Sequence, residues 1–190
     1  MANRTNHYEV ALEAYLRFLR IPYLATNEQR RSLLGDVSVK NLDFVVTAPG
    51  GASWLVDVKG RRFPAGRGRQ LWKNWSTRDD LESMARWEQL FGPRAAGLLV
   101  FAYHLVGRES PVPADQVFPY RGELYAFVGA RLSDYARHAR PISPRWQTLA
   151  LAARQFRLVA CPLSAWLLPA PPPALLDELP AHDPLASAWE

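Results

Sequence analysis

The chain has 190 residues, 48% of them hydrophobic, one cysteine and a formal net charge of +5. That length suits one domain whose core needs no staple, and the lone Cys161 excludes an internal disulfide and points to a reducing, cytoplasmic setting. The polar start has no signal-peptide character, and the longest uncharged run, residues 158–176, is broken by Pro162, Pro169, Pro171, Pro172 and Pro173, so no membrane span is expected.

Residues 7–20 predict an amphipathic helix, because Tyr8, Ala11, Leu12, Tyr15, Leu16 and Leu19 recur as one apolar stripe. Asn6 suits its N-cap and Pro22 its stop. A short strand is expected at 23–25. Residues 41–47 and 53–59 are β-rich runs around Ala48-Pro49-Gly50-Gly51-Ala52, which reads as a hairpin. Residues 60–75 are basic and aromatic. Ser76 or Thr77 then caps a helix running to about Phe91, with Asp79 and Asp80 in its first turn and Gly92-Pro93 at its end.

The almost continuous apolar run 96–105 suits a strand buried on both faces. Residues 123–131 predict another strand, 132–140 a short helix, and 145–168 one further strand and one helix. The order predicts an α/β (α+β) fold. We expect a single domain over 1–168, with its core at about 7–105, an extension at 106–168, and a Pro-rich acidic tail over 169–190.

The hairpin carries the chemistry. Symmetric pairing about Gly50 sets Thr47 opposite Ser53, Val45 opposite Leu55 and Asp43 opposite Asp57. Two carboxylates then share one face, with Cβ atoms about 5 Å apart, and Lys59 projects from that same face. Phe44, Val46, Trp54, Val56 and Val58 form the opposite, core face. Facing acids repel and need a compensating cation, either Lys59 or a metal. A hard divalent ion such as Mg²⁺ accepts one or two carboxylates, and beside a phosphate it stabilises developing charge.

Asp43, thirteen intervening residues, and Asp57-Val58-Lys59 at a strand end resemble the motif of the PD-(D/E)xK nuclease superfamily. The order of a glutamate-bearing helix, a hairpin, a helix and a strand is similar to that superfamily's core, over roughly residues 7–105. Leu42 stands where the superfamily often has proline. Locally, His7-Tyr8-Glu9-Val10-Ala11-Leu12-Glu13 resembles the motif of a small bacterial HYExAFE family, with Leu12 in place of phenylalanine.

The resemblance implies a restriction-endonuclease-like core, as in Holliday-junction resolvases: a mixed central sheet flanked by helices, with C-terminal additions. It implies an endo- or exonuclease dependent on Mg²⁺, with Mn²⁺ as an alternative, acting on nucleic acid, with DNA favoured and RNA left open. Asp43, Asp57 and the carbonyl of Val58, assisted by Glu9, would hold the metal, and Lys59 would orient or activate water. A homodimer is consistent with the same likeness.

All 23 Lys and Arg lie in residues 1–157 with 14 of the 18 acids, which leaves +9 there and favours a polyanionic partner. Arg61, Arg62, Arg67, Arg69, Trp72 and Lys73 follow Lys59 directly and suit phosphate contact and base stacking.

Blander readings stand beside these. Asp57 and Lys59 also suit a surface ion pair, and Asn6-x-x-Glu9 is also a capping-box pattern. A non-catalytic nucleic-acid-binding protein that retains the fold is the competing function. The scattered His7, His104, His138 and His182 give no zinc spacing, and there is no P-loop or dinucleotide fingerprint.

Overall fold

The computed structural model describes residues 6–26, 30–47, 49–65 and 72–169. Arg67, Arg69 and almost all of the expected C-terminal tail lie outside them. Among the described residues, helix α1 (His7–Phe18) opens the fold, with the Asn6 side chain accepting from the Tyr8 N–H as its cap. It stops two residues short of the expected end, and Arg20 turns the chain at φ 57° before Pro22.

Strands β1 (Tyr23–Ala25), β2 (Arg31–Leu34), β3 (Val37–Lys40), β4 (Phe44–Thr47) and β5 (Ser53–Phe63) follow. The β2–β3 hairpin is an element that the sequence reading passed over. Its signal is the two-residue Gly35-Asp36 turn, where Gly35 takes φ 58° at the first central position. A two-residue strand β6 (Ser76–Thr77) leads into helix α2 (Arg78–Phe91). Thr77 caps α2 in a reciprocal capping box with Asp80.

Strands β7 (Ala95–Leu105), β8 (Phe118–Tyr120) and β9 (Glu123–Arg131) come next, then helix α3 (Leu132–His138). Strand β10 (Arg140–Ser143) follows, and residues 145–168 hold two strands and two helices instead of the expected one of each: β11 (Thr148–Ala150), α4 (Ala153–Val159), β12 (Ala160–Pro162) and α5 (Ser164–Leu167). Such short pieces carry too few residues to show a period, so they are set by what they pack on.

The main sheet runs β1-β4-β5-β7-β9-β12, with β8 on the far side of β9. β5 and β7 are parallel over their whole length, Ser53 to Phe63 beside Ala95 to Leu105, and α2 makes the crossover between them. The other pairs in this sheet are antiparallel, so the sheet is mixed.

Alternation along the strands divides the core. Phe44, Val46, Val56, Val58, Leu98, Val100 and Ala102 face Ala11, Leu12, Tyr15 and Leu16 of α1. Leu55, Leu99, Phe101 and Tyr103 face Met84, Leu132, Tyr135 and Phe156 of α2, α3 and α4. The fold is α/β, a mixed central sheet flanked by helices on both faces. No helix among the described residues is long and apolar enough to cross a membrane.

Candidate functional site

The β4–β5 ladder has the register expected from its turn: Phe44 pairs with Val56, Val45 with Leu55, Val46 with Trp54 and Thr47 with Ser53. The ladder ends at Phe44, however, and Asp43 does not continue it as a simple cross-strand pair with Asp57. Its N–H donates to the Val56 carbonyl at 2.9 Å, and its Oδ2 accepts from the Val58 N–H at 2.6 Å. The buried Asp43 carboxylate, 4% exposed, is thereby fixed against the Asp57–Val58 peptide. A charge-assisted bond to a backbone N–H holds it more firmly than a facing acid would.

Asp57 and Lys59 share one face of β5, as their two-residue spacing requires. Lys59 Nζ stands 2.6 Å from Asp57 Oδ2, with the two side chains only 12% and 15% exposed. This is not the exposed surface pair of the bland reading. The same ammonium stands 2.9 Å from Asp80 Oδ2 in the first turn of α2. Asp80 in turn holds Lys40 of β3 through Oδ1 at 2.7 Å.

Sequence reading missed both Asp80 and Lys40. As a sequence position Asp80 is simply a first-turn acid of α2. The available signal was its place at the start of the crossover helix between the motif strand and its parallel neighbour.

Burial alone would discharge Lys59, yet the Asp57 and Asp80 carboxylates outweigh it and hold the ammonium well above the usual lysine range. Asp80 lies below the usual carboxylate range. Burial pushes it up, but Lys59, the Lys40 bond and the Thr77 N–H prevail. Asp57 is pushed upward, first by burial, with the Lys59 charge opposing and Asp80 adding to the rise. Lys59 is therefore a fixed cation and a hydrogen-bond donor in this arrangement.

Glu9 is 1% exposed on α1, and its Oε1 accepts from the Asn6 side-chain amide. The cap takes its own form: the Asn6 side chain accepts from the Tyr8 N–H, while its amide donates to Glu9. The first turn of α1 crosses β5 next to the motif. A Cβ on Gly60 would lie 2.1 Å from the Tyr8 ring, so only glycine admits the helix there.

The basic segment divides. Arg61 is half-buried, its guanidinium 3.8 Å over the Trp75 ring, donating to the Gly60 carbonyl at 2.7 Å and to the Trp75 carbonyl. Trp72 is half-buried and packs edge-on against Phe63, Tyr103 and Phe156 at the margin of the core. Arg62 and Lys73 are exposed. With Tyr8, Gly60, Arg61 and Trp75 they line a cleft of about 490 Å³ that opens just beyond Lys59. Beside it, His7 Nδ1 meets the Tyr125 hydroxyl at 2.8 Å and His104 meets Glu123 at 2.7 Å.

Two buried carboxylates beside one backbone segment suit a hard divalent ion, which needs one or two such ligands and fills the rest with water. Among the described residues, no three His, Cys, Asp or Glu side chains gather into a ready-made ligand set. Asp43 and Asp57 are oxygen ligands of the kind that Mg²⁺ or Mn²⁺ takes one or two at a time, and the described residues form no all-protein cage.

No family model and no curated protein matches the chain. Among solved structures it is similar to Hjc, a Holliday junction resolvase from the archaeal hyperthermophile Archaeoglobus fulgidus. The TM-score is 0.48 and the sequence identity 13%, with 83% of this chain and 95% of that chain covered.

Proposed function

We propose that the protein is a metal-dependent nuclease of the PD-(D/E)xK type that hydrolyses phosphodiester bonds, with DNA as its substrate in preference to RNA. The observation that carries this reading is the convergence of Asp43 on the Asp57–Val58–Lys59 strand, with all three charged side chains largely buried. Largely buried acids and a lysine in mid-strand, rather than at the strand end expected from the sequence, cost stability, and function is the common reason for keeping them.

Asp43, Asp57 and the carbonyl of Val58 would hold a Mg²⁺ or Mn²⁺ ion, with Glu9 assisting. When bound, that ion supplies Lewis-acid stabilisation of charge on the phosphate. Lys59, held between Asp57 and Asp80, would orient or activate the attacking water and contact the phosphate. Arg62 and Lys73 in the adjoining cleft receive the flanking phosphates. The lone Cys161 suits a reducing, cytoplasmic compartment. A homodimer belongs to the same reading and is checked by light scattering.

The second reading is a nucleic-acid-binding protein without catalysis. The pairing of Asp57 with Lys59 favours it, because that carboxylate already has a counter-charge. One experiment separates the two. Wild type, Asp57→Ala and Lys59→Met are incubated with Mg²⁺ or Mn²⁺ and with single-stranded, duplex and branched DNA or structured RNA. Cleavage by wild type alone, with binding retained by the variants, supports the nuclease. Binding without cleavage by any of them, on every substrate, supports the second reading.

A further inference from the structure

Lys59 is held by two carboxylates from different elements: Asp57 on its own strand at 2.6 Å and Asp80 on α2 at 2.9 Å. Asp80 does not depend on Lys59 for its position. Its Oδ2 also accepts from the Thr77 N–H at 2.9 Å and the Ser76 hydroxyl at 3.1 Å, while Oδ1 meets Lys40 at 2.7 Å. An acid fixed by three other groups is a preorganised support. An ammonium carries three protons, so it can serve both acids at once.

The two acids are not equivalent. Asp57 directly precedes Val58, whose N–H donates to the buried Asp43 carboxylate, so a divalent cation taking both acids would compete with the ammonium. Asp80 is already engaged with a lysine and two cap donors. A cation that takes Asp57 withdraws one partner from Lys59 and repels it, and a buried ammonium left unpaired is costly.

We propose that Asp80 is a positioning residue of the centre: it anchors the Lys59 ammonium, so that Lys59 stays beside Asp57 when that carboxylate is given to a divalent cation. This rests on the nuclease reading above. Without Asp80, Lys59 has Asp57 as its remaining acid among these two, and the ammonium and the cation contend for one carboxylate.

The test needs no turnover. Mn²⁺ binding to the full chain, without nucleic acid, is followed by loss of the free-ion paramagnetic resonance signal. Wild type, Asp80→Asn, Lys59→Met and the double variant form a cycle. Asparagine keeps an oxygen for the Thr77 N–H and so retains the cap. We expect Asp80→Asn to weaken Mn²⁺ binding roughly tenfold, and to have almost no effect when Lys59 is already methionine.

An equal loss in both backgrounds would mean that Asp80 acts as through-space charge or as a fold element, and overturns the proposal. So does unchanged binding by Asp80→Asn. A wild type that takes up no Mn²⁺ overturns the nuclease reading and the anchor with it, which separates the two failures. Lys40→Met is the second probe should Asp80→Asn not fold. It leaves the Asp80 charge to Lys59 alone and is expected to tighten Mn²⁺ binding severalfold. Unchanged or weaker binding there counts against the anchor.

Discussion

Lys59 reaches from β5 to the first turn of α2, where its ammonium lies 2.9 Å from Asp80 Oδ2. That one contact joins the motif strand to the crossover helix, and it makes stability depend on pH at both ends. Asp80 is held below its ordinary value of 3.8 despite burial, so its contribution is present above that value and is lost as pH falls beneath it. Lys59 is held above its ordinary value of 10.5, so its contribution is present below that value and is lost as pH rises through the higher folded one.

Urea unfolding midpoints followed into acid should therefore fall for wild type. Asp57 works against this limb, since burial pushes it the other way. The informative comparison is with Asp80→Asn, whose acid limb should be flatter. Asp80→Ala, which also loses the cap, should cost about 3 kcal/mol near neutral pH. A variant with the wild-type pH profile would show that the pair contributes nothing to folding.

Gly60→Ala should destabilise by about 2 kcal/mol, because the new methyl group would meet the Tyr8 ring at 2.1 Å and force α1 away from β5. Combining it with Tyr8→Ala should recover part of the loss, a coupling read from a double-mutant cycle of unfolding free energies. Strict additivity would show that the helix accommodates the methyl group elsewhere.

Arg61 and Arg62 are neighbours with different work. Arg62→Ala and Lys73→Ala remove exposed charges from the cleft, and each should lower the slope of log affinity against log salt for DNA by about one without changing stability. Arg61→Ala should instead cost about 1–2 kcal/mol in unfolding, since it loses the Trp75 stacking and two backbone bonds. Filter binding across a salt series, with unfolding curves alongside, checks all three.

Asn74 ties the cleft to the C-terminal part of the chain. Its buried amide donates to the Leu151 carbonyl at 3.1 Å and accepts from the Leu151 N–H at 2.9 Å. Asn74→Ala leaves that N–H without its partner and should cost about 2–3 kcal/mol. Unfolding monitored by tryptophan fluorescence measures the loss, with Trp72 and Trp75 on either side as reporters. A stability equal to wild type would show that water replaces the amide.

Local signals in the chain set the α1 stripe, a cap of α2 at Ser76 or Thr77, the buried strand β7, the hairpin register, and the sharing of one β5 face by Asp57 and Lys59. Each depends on periodicity, turn chemistry or capping within a short stretch, and these act between neighbours in the chain. The Gly35-Asp36 turn between β2 and β3 is a signal of the same local kind.

Tertiary structure alone decided that Asp43 bonds to the Val58 N–H, that Asp80 and Lys40 join Lys59, and that Trp72 packs at the margin of the core while Arg62 stays outside. No period in the chain encodes these contacts. They arise because the parallel pairing of β5 with β7 sends α2 back across the sheet and sets its first turn over the motif strand. Burial of Lys59, Asp57 and Asp80 then favours their pairing with one another.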